Sequence, residues 1–440
     1  MTETAADHRL WDEAEALPRE RLEALQLERL REAVARAGGV PFYRDRFAES
    51  GVIAADVTSL EDVRKLPLTS KADLVAHYPT GLLAVPREQV ARVHGSSGTT
   101  GRPTFAFYTK DDLETWADLC ARFLTAGGLR KNHLAHIAFG FGLFTGGFGL
   151  HYGVERVGAG VVPAASGNTR RQIMLLMDLA PEAIVCTPSY ALTIAETAKS
   201  LGLRPDELPI EVGHFGGEPW TEEMRQRIEA ELGIEAFNNY GLSEVLGPGV
   251  AGECHCHSGM HLHEDHFLVE CLDPQTLEPV APGEVGELVI TTLTKQAMPV
   301  LRYRTRDLAC LSDEPCPCGR TGRRMGRVLG RSDDMLIIRG VNVFPSQIEE
   351  ALLRVEGTEP HYQIEVSRPN TLDELSVHVE VEASFFSDQM REMDALRRRL
   401  EREVHTTAGV RAKINLVQPR TLERFAGKAK RVIDHRESGK

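Results

Sequence analysis

Short apolar runs alternate with helical patterns over the middle of the chain, between residues 92 and 291. The runs Ala135–Phe139 and Ala183–Cys186 have the length and composition of buried strands. Between and after them, Arg170–Leu179 and Thr221–Leu232 have the spacing of amphipathic helices. Because strand, helix and strand in succession form the unit of a parallel sheet, this alternation predicts an α/β fold with a mainly parallel sheet.

A second pattern begins near Asp333. Short strand candidates are followed by alternating helices and strands, namely Met335–Ile338, Val341–Phe344, Pro345–Val355, Ile364–Val366, Leu375–Val381 and Met390–Val404. The chain has 440 residues, about three times the usual domain size. We therefore predict two domains, a large N-terminal domain over residues 1–332 and a smaller α+β domain over residues 333–440.

Charge and hydropathy exclude several classes of partner. The chain has 51 Lys and Arg against 64 Asp and Glu, a net charge of −13, and such a field repels nucleic acids and anionic membranes. Neither an apolar leader within Met1–Glu13 nor an uncharged apolar stretch of about 18 residues is present. We expect a cytoplasmic protein that binds neither nucleic acid nor membrane.

The most informative segment is His94–Thr104, with the sequence His-Gly-Ser-Ser-Gly-Thr-Thr-Gly-Arg-Pro-Thr. Three glycines let backbone N–H groups turn toward one anion, hydroxyl groups add donors, and Arg102 adds a fixed charge. The segment therefore predicts a polyphosphate-binding loop, although its composition alone also fits a flexible surface loop. It does not match the Walker A pattern, since Arg102-Pro103 stands where that pattern needs other residues.

This loop resembles the phosphate-binding signature of the adenylate-forming superfamily, which contains acyl- and aryl-CoA synthetases, adenylation domains and luciferases. Further signatures follow in the superfamily's order: Gly216–Pro219, Asn239–Glu244, Tyr303–Leu308, Gly330–Asp334 and Gly427–Ala429. Within the superfamily the chain most closely resembles the phenylacetate-CoA ligases, from about Trp11 to Asp434, through four more segments: Phe141–Gly147, Thr187–Tyr190, Glu264–Phe267 and Ile338–Gln347.

The resemblance implies an AMP-forming ligase that uses ATP and Mg²⁺ to activate an aromatic carboxylic acid. An aryl-adenylate forms with release of pyrophosphate, and coenzyme A then displaces AMP to give a thioester. The implied fold is α/β, with a large multi-sheet N-terminal adenylate-forming domain and a small mobile α+β C-terminal domain.

Nucleotide contacts are implied for residues of the matching signatures. In this reading the Tyr240 ring stacks on adenine and Asp307 accepts hydrogen bonds from the ribose hydroxyls. Asp307 could otherwise pair with Arg304 or Arg306 in a loop. The implied ATP-binding residues are Ser96, Ser97, Gly98, Thr99, Thr100, Gly101, Gly217, Glu218, Asn239, Tyr240, Gly241, Asp307 and Arg331.

Two residues match catalytic positions. Glu244 matches the carboxylate that holds Mg²⁺, a cation that prefers oxygen ligands, although a solvated surface glutamate is the alternative. Lys428 matches the mobile lysine that reaches the carboxylate and the α-phosphate during adenylation. Lys430 is close enough to be a rival for that role.

The C-terminal domain is implied to rotate between an adenylating pose and a thioester-forming pose. Asp333 matches the hinge. Arg339 and Gly340 match the wall of the coenzyme A tunnel, although a structural β-turn explains Gly340 nearly as well.

The acid pocket is assigned to Phe141, Phe144 and Gly147, which supply aromatic walls and an open floor for a flat ring. The same residues could belong to the core. Since this motif has no charged residue, we expect a phenylacetate-like acid or a small benzoate.

Cysteines and histidines gather in two clusters, at residues 254–263 and 316–318. By residue matching with relatives, Cys254, His261, Cys316 and Cys318 would form a structural zinc site, with Cys256, His257 and His263 as rivals.

Two other functions stay open. An aryl-acid adenylating enzyme could deliver the acyl group to a carrier-protein thiol or another nucleophile. A non-catalytic nucleotide sensor is disfavoured, because Lys428 and Glu244 are both present. Relatives are commonly dimers, so a homodimer is also expected.

Overall fold

The computed structural model describes residues 10–52, 54–96, 104–339, 341–369, 373–382, 390–425 and 429–436. The chain forms two compact units. Unit 1 consists of Met1–Cys186, Pro209–Gly217 and Glu235–Arg327, and unit 2 consists of Thr187–Leu208, Glu218–Ile234 and Val328–Lys440.

Unit 1 contains the strands predicted at Ala135–Phe139 and Ala183–Cys186 and the helix predicted at Arg170–Leu179, whereas the helix predicted at Thr221–Leu232 belongs to unit 2. The helices of unit 1 are α1 (Arg19–Gly38), α2 (Pro41–Ser50), α3 (Lys71–Ala76), α4 (Lys110–Ala126), α5 (Thr145–Val157) and α6 (Thr169–Leu179). Its strands are β1 (Arg92–Gly95), β2 (Phe105–Tyr108), β3 (Leu134–Ile137), β4 (Gly160–Val162), β5 (Ala183–Cys186), β6 (Val212–Phe215), β7 (Glu235–Leu242), β8 (Gly247–Glu253), β9 (Met260–Leu262), β10 (Phe267–Leu272), β11 (Val285–Thr292), β12 (Tyr303–Ser312) and β13 (Arg324–Met325).

The large sheet of unit 1 is mixed. Its strand order is β10-β11-β12-β13-β9-β8-β7-β6-β5-β3-β4, and the pairs from β4 through β7 are parallel. From β7 onward to β10 the pairs are antiparallel, as is the separate pair β1 and β2. The prediction of a mainly parallel sheet is therefore correct for one half of the sheet and wrong for the other.

Short connections explain the antiparallel half. Only four residues separate β7 from β8, whereas a parallel pair needs a crossover of a dozen residues or more.

Strand β8 contains Gly252, where an added Cβ would lie 2.2 Å from the Cβ of Phe123 in α4. Glycine at this position lets α4 pack directly on the sheet.

Unit 2 has its own core. Its helices are α7 (Pro188–Ser200), α8 (Glu222–Leu232), α9 (Pro345–Leu353) and α10 (Met390–Ala408), and its strands are β14 (Gly330–Arg331), β15 (Leu336–Ile338), β16 (Val341–Val343), β17 (Thr358–Ser367), β18 (Glu374–Val381), β19 (Lys413–Val417) and β20 (Val432–Asp434). The order β19-β18-β17-β20 makes a mixed four-stranded sheet. Val343, Ile348, Val377 and Leu400 are fully buried in this core.

The start of helix α7 is defined by the two residues Thr187 and Pro188. The hydroxyl of Thr187 accepts a hydrogen bond from the backbone N–H of Tyr190 at 3.3 Å, and Pro188 occupies the first helical position. This cap fixes the start of the helix that carries Glu196.

Among the described helices, none combines the length and the apolar composition that crossing a membrane requires.

Candidate active site and cysteine cluster

The ends of the predicted phosphate loop are held together by the antiparallel pair of β1 and β2. The hydroxyls of Ser96 and Thr104 lie 2.8 Å apart, and the N–H of Ser96 donates to the carbonyl oxygen of Thr104 at 3.0 Å. The loop therefore leaves and re-enters the sheet at one point. Ser97, Gly98, Thr99, Thr100 and Gly101, which are predicted to contact ATP, lie outside the described residues.

Glu244, the predicted magnesium ligand, lies in the turn after β7 and is 9% exposed. Its Oε1 accepts a hydrogen bond from the hydroxyl of Thr104 at 3.3 Å, which joins it to the end of the phosphate loop. The neighbouring hydroxyl of Ser243 lies 2.9 Å from that of Thr145 at the start of α5. Glu244 is thus a buried carboxylate with a fixed position, in contrast to the solvated glutamate that was the alternative.

A buried ammonium group lies beside this carboxylate. Lys295 is 2% exposed, and its Nζ donates to the carbonyl oxygen of Glu244 at 3.3 Å and lies 4.8 Å from the ring centroid of Tyr108. Burial lowers the pKa of Lys295 to about 8, although the charges of Asp112 and Glu244 oppose the shift. The sequence analysis missed this residue; its only signal was a lysine within a largely apolar stretch.

Tyr240 and Asp307 contact each other although 67 residues separate them in the sequence. The phenolic hydroxyl of Tyr240 donates to Oδ2 of Asp307 at 2.7 Å, and both residues are nearly buried. The guanidinium of Arg304, one of the alternative partners of Asp307, pairs with Glu287 at 2.7 Å. The two residues predicted to contact adenosine therefore lie together at one place in the sheet.

Two glycines allow close approach of the backbone near this pair. A Cβ on Gly241 would lie 1.9 Å from the carbonyl oxygen of Gly247, and one on Gly216 would lie 2.6 Å from that of Asn239. Asn239 donates its side-chain N–H to the carbonyl oxygen of Phe215 at 2.8 Å, and Gly217 has a φ of +85°. These signature residues are thus needed to join β6, β7 and β8 tightly.

The predicted acid-pocket residues lie before and at the start of α5. Phe141 makes an edge contact with Phe148, with ring centroids 5.5 Å apart, and Phe144 is 40% exposed. A Cβ on Gly147 would lie 2.7 Å from the carbonyl oxygen of Gly140, so this glycine lets α5 pack against the preceding loop. Because Phe144 is exposed and Phe141 is half-buried, these two rings fit an aromatic wall better than a closed core.

In unit 2, both carboxylate oxygens of Glu218 accept hydrogen bonds from backbone N–H groups. Oε1 accepts from Ser189 at 2.7 Å, and Oε2 accepts from Ala429 at 3.0 Å. Glu218 was predicted as an ATP contact. Its partners here are the start of α7 and the residue that follows Lys428, which itself lies outside the described residues.

The predicted hinge and tunnel residues also belong to unit 2. Asp333 is half-exposed and receives two hydrogen bonds from Arg331, Nε to Oδ1 at 2.8 Å and a terminal nitrogen to Oδ2 at 2.9 Å. Arg339 opens the tight turn between β15 and β16 with a φ of 51°, a conformation that few non-glycine residues adopt. Gly340 lies outside the described residues.

The four predicted zinc ligands form one cluster in unit 1. One ligand atom from each of Cys254, His261, Cys316 and Cys318 lies within 4.8 Å of all the others. The sulfur atoms of Cys254 and Cys316 are 3.8 Å apart, which matches the spacing of ~3.8 Å between two thiolates bound tetrahedrally to zinc at ~2.3 Å. We call these four residues the cysteine cluster.

The rival zinc ligands differ in their hydrogen-bond partners. Nε2 of His257 lies 2.9 Å from Oε1 of Glu235, and Nδ1 of His263 lies 2.7 Å from the carbonyl oxygen of Gly249. Cys256 lies with Cys254 and His255 in a second group of possible ligands, so it stays a rival.

Comparison with known proteins adds a family and full-length relatives. The AMP-binding enzyme family matches residues 38–296, and the AMP-binding enzyme C-terminal domain matches residues 340–436. The phenylacetate-coenzyme A ligase of Thermus thermophilus is 52% identical over 97% of this chain and 99% of the relative.

Solved structures of a 2-hydroxyisobutyryl-CoA ligase are also similar. The structure in the postadenylation state with 2-HIB-AMP has a TM-score of 0.93 and 32% identity, and covers 99% of this chain and 94% of the other. The structure with 2-HIB-AMP and CoA in the thioesterification state has a TM-score of 0.73 and 33% identity, with the same coverage of 99% and 94%.

Proposed function

The chain belongs to the AMP-binding enzyme family and, within it, to the phenylacetate-coenzyme A ligases, and we propose the following chemistry for its site. It is an ATP-dependent, AMP-forming ligase that converts an aromatic carboxylic acid into its coenzyme A thioester. The observation that carries this function is the match to phenylacetate-coenzyme A ligases over nearly the whole of both chains.

The reaction needs two displacements, because a carboxylate is a poor electrophile. In the first, a carboxylate oxygen of the acid attacks the α-phosphorus of ATP and pyrophosphate leaves. In the second, the thiol sulfur of coenzyme A attacks the acyl carbon, AMP leaves, and the thiol proton passes to solvent. The protein accelerates the first step where it stabilises charge on the phosphates more in the transition state than in bound ATP.

Adenosine is positioned by Tyr240 and Asp307. The hydrogen bond from Tyr240 fixes the position of the Asp307 carboxylate, an acceptor group that suits the ribose hydroxyls. The fixed phenol ring offers its face to adenine. Gly217, Glu218, Asn239, Gly241 and Arg331 complete the proposed nucleotide contacts with the loop Ser96–Gly101.

Glu244 is the proposed magnesium ligand, and its chemistry fits the ion. A buried carboxylate provides the hard oxygen that Mg²⁺ prefers, and its bond to Thr104 keeps it beside the phosphate loop. When bound, Mg²⁺ supplies positive charge to the phosphate oxygens. Lys295 donates to the backbone carbonyl oxygen of Glu244 and so helps to hold the turn that carries it.

Lys428 supplies the second positive charge in the first step. Its place after Gly427 and before Ala429 matches the family's lysine, and Ala429 itself donates to Glu218 of the Gly-Gly-Glu-Pro motif. We propose that residues 333–440 then rotate about Asp333. Arg339 and Gly340 would line the coenzyme A tunnel in the second pose.

Phe141, Phe144 and Gly147 form the proposed acid pocket. The exposed ring of Phe144 and the half-buried ring of Phe141 favour a flat aromatic acid.

The cysteine cluster is proposed to hold a structural Zn²⁺, since its three sulfurs and one imidazole nitrogen are the donor set of such sites. The expected homodimer stays a prediction, and sedimentation would check it.

The product decides the function. The protein would be incubated with ATP, Mg²⁺ and a panel of aromatic acids, with coenzyme A, with an acyl-carrier protein, or with neither acceptor. Mass spectrometry is expected to find aryl-CoA and equimolar AMP in the first arm. Thioester on the carrier protein alone would contradict the proposed acceptor, and the absence of AMP in every arm would contradict the ligase function itself.

A further inference from the structure

Arg424 lies between two carboxylates in unit 2. Its two terminal nitrogens donate to Oε1 and Oε2 of Glu380 at 2.9 and 2.8 Å. Its Nε donates to Oε2 of Glu196 at 3.0 Å, and a terminal nitrogen donates to Oε1 of Glu196 at 3.1 Å. Such bidentate pairs are the strongest and most directional ion pairs that arginine makes.

The two carboxylates come from different parts of the chain. Glu380 is at the end of β18, is fully buried, and also accepts from the N–H groups of Arg420 and Leu422 at 2.8 and 2.7 Å. It therefore belongs to the fold of residues 333–440. Glu196 belongs to α7, more than 130 residues before Asp333.

Glu196 is held by further positive groups. Arg420 donates to its Oε1 at 3.2 Å, and Nε2 of His361 lies 3.6 Å from its Oε2. Burial raises the pKa of Glu196, but hydrogen bonds with His361 and Arg424 outweigh it, so the net pKa is lowered. The carboxylate is therefore ionised at neutral pH, and its negative charge pairs with Arg424 and Arg420.

Rotation about Asp333 has different consequences for the two pairs. Arg424 and Glu380 both follow Asp333 and move together. If residues 333–440 rotate about Asp333 as proposed, Glu196 stays behind, and its bonds to Arg424 and Arg420 exist in one pose and break before the other forms. A pair that is made in only one of two states shifts the equilibrium between them.

Glu218 identifies which pose contains this pair. The N–H of Ala429, directly after Lys428, donates to Glu218 of the Gly-Gly-Glu-Pro motif in the same arrangement in which Arg424 binds Glu196. Because Lys428 directly precedes Ala429 in the sequence and is the proposed lysine of the first step, we assign this arrangement to the adenylating pose.

We propose that Glu196 is a positioning residue for adenylate formation, which holds Arg424 and the segment 420–425 in the adenylating pose and must release them before thioester formation. The inference rests on the proposed function. Glu196 is proposed to touch neither substrate nor reacting atoms, and it acts through Arg424, which three residues separate from Lys428 in the sequence.

The test is a comparison of the two half-reactions in Glu196→Ala. Acid-dependent exchange of pyrophosphate into ATP reports adenylation, and conversion of a supplied aryl-adenylate with coenzyme A reports transfer. The exchange rate is expected to fall about tenfold, as for a modest shift in a two-state equilibrium, while the transfer rate stays within about twofold. Glu196→Gln keeps the shape without the charge and is expected to show a smaller loss of the same kind.

Asp394→Ala is the matched control. Asp394 also forms an ion pair with an arginine, Arg397 at 2.7 Å, but both residues lie in α10 and move together. Neither half-reaction should change in this variant, and all three variants should melt within a few degrees of the wild type.

Equal losses in both half-reactions of Glu196→Ala and Glu196→Gln would overturn the positioning role, as would an unchanged exchange rate in both variants. If the wild type shows no acid-dependent exchange, the proposed function fails, and the inference fails with it. An active wild type with unaffected variants refutes the inference alone.

Discussion

The polar group formed by Glu244 and Asp307 and the cysteine cluster lie on strands of the same sheet, yet their side chains are arranged for opposite purposes. Glu244 follows β7 and Asp307 lies in β12, whereas Cys254 follows β8 and Cys316 follows β12. In the first group the carboxylates of Glu244 and Asp307 accept hydrogen bonds from Thr104 and Tyr240. In the second, the ligand atoms of all four side chains converge within 4.8 Å.

This difference shows how one sheet can serve catalysis and stability at once. A carboxylate that accepts one such hydrogen bond keeps acceptor capacity for a ligand that arrives and leaves. Four soft ligands that face each other can hold one ion and leave no open position for a substrate. Changes in the first group should therefore lower activity without loss of stability, and changes in the cluster should do the reverse.

The largest effect on activity is expected at Lys428. In Lys428→Ala, acid-dependent adenylation should fall by about a thousandfold or more, because a charge that stabilises the transition state is lost. Transfer of a supplied aryl-adenylate to coenzyme A should stay nearly normal, and Lys430→Ala should be the milder change. The two half-reactions are timed separately, and a dispensable Lys428 with an essential Lys430 would move the assignment by two residues.

Removing the charge of Glu244 sharpens the comparison within the sheet. Glu244→Gln keeps the acceptor for Thr104 but loses the negative charge, so the adenylation rate should fall by about a hundredfold and more Mg²⁺ should be needed. Magnesium titrations of the initial rate measure this. A variant with normal activity would mean that Glu244 only supports the turn. A large fall in melting temperature would mean that its role is structural, like that of the cysteine cluster.

The cysteine cluster should respond in the opposite way. Wild-type protein should contain one equivalent of zinc, and Cys316→Ser should lose it and melt roughly 10 °C lower or more, since structural zinc contributes directly to folding. At low temperature the folded variant should keep its adenylation rate within about twofold. Metal analysis and thermal melts check both statements, and retained zinc in Cys254→Ser would instead assign the ligand to Cys256.

The smallest effect is expected at Tyr240. Tyr240→Phe keeps the ring and removes the hydroxyl that donates to Asp307, so the KM for ATP should rise by roughly three- to tenfold, as for the loss of one hydrogen bond to a charged group. The rate at saturating ATP should change little. An unchanged KM would mean that the carboxylate of Asp307 does not need this bond.

Local patterns in the sequence predict much of the fold. Helix α9 was predicted over Pro345–Val355 and spans Pro345–Leu353, and β18 was predicted over Leu375–Val381 and spans Glu374–Val381. Strand direction was not predictable in the same way, because alternating apolar runs do not distinguish a crossover from a tight turn such as the one between β7 and β8.

The candidate site shows a similar limit. Family motifs identified Tyr240 and Asp307, but their hydrogen bond depends on how distant strands come together. The burial of Lys295 was invisible because a lysine's exposure depends on tertiary packing. The double use of Glu218 on two backbone amides, and the placement of Arg424 between two carboxylates, likewise follow from contacts across long stretches of sequence.

The central claim is that this chain activates an aromatic acid as an adenylate before any thiol takes part. The most direct measurement is exchange of labelled pyrophosphate into ATP in the absence of coenzyme A, with and without phenylacetate and small benzoates. We predict exchange that requires both Mg²⁺ and an aromatic acid and that is absent when either is left out. Exchange that is independent of added acid, or thioester formation that proceeds without any acid-dependent exchange, would contradict the account.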